Sequence, residues 1–132
     1  LDAGSINIFS LQNAELEKLN EVYADWSIET IFSQGDYLYI GGTRGMLIYN
    51  ISEPQNPQYV SEISHITGCD PVVVDGDYAY LTLRGGNACG QDLSLLEVID
   101  VSDKTTFNNS TFSGNSEIIE LAKSITKFSE VG

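Results

Sequence analysis

Gly35-Asp36-Tyr37-Leu38-Tyr39 returns as Gly76-Asp77-Tyr78-Ala79-Tyr80. The copies lie about forty residues apart, a period produced by stacked or radially arranged β units. Such a repeat narrows the architecture sharply and says little about chemistry, because a scaffold repeat need not carry an active site.

The residues around the echo read as short strands with turn punctuation. Glu29 to Ser33 forms a strand, Gln34-Gly35-Asp36 turns, and Tyr37 to Ile40 returns with its tyrosines on one face and Leu38 and Ile40 on the other. A third strand runs from Met46 to Ile51. Pro54 and Pro57 exclude ladder bonding in the loop that follows, and Tyr59 to Ile63 is the fourth strand. The second unit keeps this order through Pro71 to Val74, Tyr78 to Leu83 and Leu95 to Val101, with an insertion at Arg84 to Asp92. Ahead of both, Ile6 to Leu11 aligns with Met46 to Ile51, and Leu19 to Tyr23 supplies an outer strand. Four antiparallel strands in forty-odd residues describe a β-propeller blade.

After Asp103 the strand pattern ends. Ile118, Leu121, Ala122, Ile125 and Phe128 then fall on one helical stripe, which predicts an amphipathic C-terminal helix docked on its own domain. The expected fold is therefore all-β, a partial propeller of about two and a half repeats with a helical tail. Its units are a trailing half-blade at 1–27, blades at 28–66 and 67–112, and the tail at 113–132.

These strands resemble the LVIVD-repeat family of bacterial propeller proteins. The resemblance rests on Met46-Leu47-Ile48-Tyr49-Asn50-Ile51-Ser52 and Leu96-Glu97-Val98-Ile99-Asp100-Val101-Ser102, together with the Gly-Asp-Tyr-x-Tyr turns and the Pro54 to Pro57 loop. It implies a β-propeller on an exported, cell-surface or outer-membrane-associated bacterial protein, with no general catalytic residue set. The chain starts Leu1-Asp2-Ala3, without Met or a basic leader, and is expected to be a processed chain or a piece of a longer one. Two blades are too few to close a ring, so the missing blades are expected from the rest of the protein or from assembly.

Nineteen acidic residues against six basic ones leave a net charge of -13. That surface repels phosphate backbones and anionic lipid heads, which argues against nucleic-acid binding and membrane adsorption. No apolar run approaches the length of a membrane span. Asp75 and Asp77 sit in a tight turn without the oxygen-ligand spacing of an EF-hand, so no cofactor is expected and calcium is the single ion considered.

Cys69 and Cys89 flank the second Gly-Asp-Tyr element and match no zinc or redox motif. A hairpin can return both to one end of a sheet, so a disulfide worth about 3 kcal/mol is expected, two buried thiols being the other reading. Arg44 and Arg84 are equivalent turn arginines. With Trp26 they form the expected partner-binding set, weighed against simple pairing with surface acids and aromatic packing. No catalytic set emerges. The functional expectation is a non-enzymatic module binding a protein or glycan, the alternative being part of a propeller hydrolase or lyase whose site lies in absent blades.

Overall fold

The computed structural model describes residues 4–64, 71–83, 95–106 and 108–113. Within them ten strands form three antiparallel sheets and no helix. The first sheet is a hairpin of β1 (Gly4–Gln12) and β2 (Glu15–Ala24). The second holds β3 (Ile28–Gln34), β4 (Tyr37–Gly42), β5 (Gly45–Asn50) and β6 (Gln58–Ser64) in sequence order. The third repeats that meander with β7 (Val72–Asp75), β8 (Tyr78–Leu83), β9 (Leu95–Asp100) and β10 (Asn108–Ser113).

Turn chemistry explains the hairpins. Gly35 and Gly76 open equivalent two-residue turns at φ 57° and 59°, while Asp36 and Asp77 stay at negative φ, the pattern a type II′ turn requires. The repeat persists to single hydrogen bonds. Ile51 N donates to Asp36 O at 2.7 Å, as Val101 N does to Asp77 O at 2.8 Å. Ser52 N donates to Asn50 Oδ1 at 2.9 Å, as Ser102 N does to Asp100 Oδ1 at 2.9 Å.

The first turn differs. Asn13 and Ala14 both have positive φ, 53° and 65°, as in a type I′ turn. Alanine there has its Cβ too near the following carbonyl. Ala14→Gly is therefore expected to stabilise the protein by about 0.5–1 kcal/mol after the entropy glycine adds to the unfolded chain. Urea denaturation checks this, and a midpoint shifted downward would contradict the turn geometry.

The middle sheet packs against a neighbour on each face. Tyr39, Met46 and Ile48 pack with Val72, Val74, Ala79, Leu81, Ile99 and Val101 of the third sheet. On the opposite face Leu38, Ile40 and Leu47 pack with Val22, Ala24 and Trp26, joined at the margin by Ile6 and Ile8. The alternation expected for Tyr37 to Ile40 thus becomes a division between two cores. Val72 N donates to Thr30 Oγ1 at 3.0 Å and Gln34 Nε2 to Gly76 O at 3.0 Å, tying second sheet to third.

One expectation needs correction. The strand pattern does not end at Asp103, because β10 pairs with β9 from Asn108↔Asp100 to Ser113↔Leu95. Its sequence, Asn-Asn-Ser-Thr-Phe-Ser, lacks apolar alternation. Ladder bonds are made by backbone groups, so an edge strand can be polar and leave little periodic signal. Ser113, placed in the tail by sequence, is the last residue of this strand. The helix expected within 116–128 lies outside the described residues.

Candidate functional site

Arg44 occupies the β4–β5 turn, where a two-residue connection projects it beyond the sheet end. Its Nη1 lies 3.1 Å from Asp25 Oδ2, and its guanidinium stands 5.5 Å from the centre of the Trp26 ring. Both charged side chains are more than half exposed, so solvent screens the pair and it holds the turn only weakly. Trp26 is 2 % exposed and belongs to the core between hairpin and middle sheet. The structure therefore joins two of the three expected partner-binding residues, with Arg44 as the accessible one. Arg84, Cys69 and Cys89 lie outside the described residues.

A second junction involves the segment after β9. Ser61 Oγ donates to Lys104 O, Lys104 Nζ donates to Val101 O, and that ammonium sits 5.3 Å from the Tyr37 ring centre. This segment thus straddles second and third sheets. Asp103 organises it by accepting from Thr105 N at 2.9 Å and Thr105 Oγ1 at 2.6 Å, with Thr106 Oγ1 on its other oxygen. Those donors favour the charged form and hold the Asp103 carboxyl down at about 2, against an ordinary value of 3.8.

A depressed carboxyl makes the turn acid-sensitive in one direction. Its contribution is complete above the unfolded aspartate value and disappears as pH falls through about 2. Asp103→Ala is expected to lower the melting temperature at pH 7, and the gap to the parent should close as pH approaches 2. Comparing the two proteins removes the opposing effect of acid on the net charge of -13. A gap independent of pH would contradict the role given to the charge.

Asp75 and Asp77 lie in and beside the β7–β8 turn. Among the described residues no three His, Cys, Asp or Glu side chains gather as metal ligands. Midway along the hairpin, Lys18 Nζ lies 2.7 Å from Glu21 Oε2. Bonds from Lys18, Ser5 and Tyr23 hold the Glu21 carboxyl at about 2, while the same carboxylate raises the Tyr23 hydroxyl.

The third sheet exposes positions that the middle sheet covers. By the Gly-Asp-Tyr alignment, Val73, Tyr78 and Tyr80 stand where Phe32, Tyr37 and Tyr39 stand one unit earlier. Val98 takes the place of Ile48. In the middle sheet those positions face the third sheet. On the third sheet Val73 is 53 % and Tyr78 47 % exposed. A signal existed in Val72-Val73-Val74, since an unbroken apolar run marks a strand meant for cover on both faces.

The sequence of residues 29–64, which forms the middle sheet, matches the LVIVD repeat. No curated protein and no solved structure matches the chain. The match spans one complete four-stranded sheet, from β3 through β6, and the third sheet reproduces its turns and hydrogen bonds. LVIVD is a propeller-type repeat, and residues 29–64 of this all-β chain are similar to it.

Proposed function

We propose that residues 4–113 are successive blades of a larger β-propeller serving as a non-enzymatic interaction scaffold. The reading places it on an exported or surface-attached bacterial protein, with blade-end turns such as that of Arg44 offered to a protein or glycan. One observation carries the array. The outward face of the third sheet repeats the apolar and aromatic character of the face that the middle sheet buries, yet Val73 and Tyr78 are about half exposed. An apolar face of this kind belongs against another layer. The resemblance to exported bacterial propellers supports the location, and the net charge of -13 favours a partner with basic character.

Light scattering after size exclusion, with a dye that fluoresces on apolar surface, tests the array. The expected result is self-association or strong dye binding that falls in Val73→Lys/Tyr78→Lys. A folded, dye-silent monomer would overturn it. An oligosaccharide panel tests the interaction role with Arg44→Ala as the comparison, and turnover of any panel member would overturn the non-enzymatic reading.

A further inference from the structure

The register of the β1–β2 hairpin matches that of the outer two strands of the middle sheet. The β5–β6 ladder slips between Ile48 and Tyr49, pairing Ile48↔Ser61 and then Tyr49↔Tyr59. The β1–β2 ladder slips between Ile8 and Phe9, pairing Ile8↔Asn20 and then Phe9↔Lys18. The repeat alignment sets Ile8 on Ile48, so the two irregularities coincide, with Leu19 and Val60 as the extra residues. Bulges are placed features rather than accidents. The coincidence makes β1 a third strand and β2 a fourth. In the complete sheet the third strand has β4 on its other edge and β3 beyond. Among the described residues β1 has only β2.

Burial supplies an internal control. Val72 is 3 % exposed and packs in the core shared with Phe32, Tyr37 and Tyr39 of the preceding first and second strands. The repeat alignment makes Ile31 the equivalent of Val72, and Ile31 is 56 % exposed. The same position is covered where a first–second strand pair precedes it and bare where none does. Beside β1 lies a cavity of about 280 Å³ lined by Ile6, Ile8, Ser33, Leu38, Ile51 and Pro54.

We infer that the free edge of β1 is the docking site of a two-stranded antiparallel hairpin of the same repeat class, equivalent to β3–β4. Its second strand would pair with β1, and its first would shelter Ile31. The inference rests on the blade reading above but concerns a different surface from the Val73–Tyr78 face.

The test fuses a copy of residues 28–42 ahead of the chain through a Thr-Arg turn and follows amide hydrogen exchange. Exchange at the β1 amides should slow by about tenfold or more while the protein stays monomeric. Ile31→Asp should be nearly silent in the parent chain, where the side chain is exposed, and should abolish the new protection in the fused protein. Unchanged β1 exchange, or protection appearing only with a dimer mass, would overturn the inference. If the fusion disturbs β8 and β9 exchange, a synthetic peptide of residues 28–42 gives the decision in trans. Resonance shifts confined to β1, Ile31 and Leu38 support docking, and none at about 1 mM peptide overturns it. Failed docking beside persistent self-association through Val73 and Tyr78 would leave the propeller reading standing.

Discussion

Trp26→Ala is expected to destabilise the protein by about 4 kcal/mol, the loss typical of a large buried aromatic cut to alanine. The ring is 2 % exposed and fills the core made with Val22, Ala24, Leu38, Ile40 and Leu47. This core holds a two-stranded hairpin onto the middle sheet, and two strands alone are marginally stable. The loss should therefore fall first on the hairpin, with exchange rising in β1 and β2 before β8 and β9. Arg44→Ala removes a screened ion pair and the cation over the ring, and should cost no more than about 1 kcal/mol. Trp26→Phe should be milder than alanine, since it keeps most of the apolar area and removes an indole Nε1 that has no hydrogen-bond partner among the described residues. Urea titrations of the three variants check the order. Equal losses for Arg44→Ala and Trp26→Ala would show that the exposed turn, and not the buried ring, anchors the hairpin.

Gly45→Ala should cost at least about 3 kcal/mol, because a strained backbone conformation and a steric collision act together. Gly45 adopts φ 132°, and an added Cβ would stand 1.9 Å from Ile63 O. Relief requires β5 to move from β6 at the point where Gly45 pairs with Ser64 and Met46 with Ile63. Met46 is fully buried in the core shared with the third sheet, so the movement also disturbs packing there. Gly35→Ala separates the two effects. It has positive φ, 57°, but open space around the missing Cβ, and should cost about 1–2 kcal/mol. Comparable losses in the two variants, read from denaturation midpoints, would contradict the collision.

The middle sheet was legible in residue order. Gly35-Asp36 requires a tight turn, and the alternation of Tyr37, Leu38, Tyr39 and Ile40 divides that strand between two faces. The strand β10 was not legible, because a polar edge strand is held by backbone groups that every residue carries. Trp26 and Arg44 were placed in one expected set, but their geometry was not legible. Their stacking, and the Asp25 that completes the arrangement, depend on where the chain brings the β2–β3 connection against the β4–β5 turn.

Period, turn and alternation are local properties of a chain, so the repeat unit and its four-stranded antiparallel sheet follow from residue order. Cover is not local. Val72 and Ile31 occupy the same place in their repeats and differ about 20-fold in exposure, because one faces a complete sheet and the other half of one. Only the assembled sheets distinguish them, since burial depends on which neighbour stands across the interface.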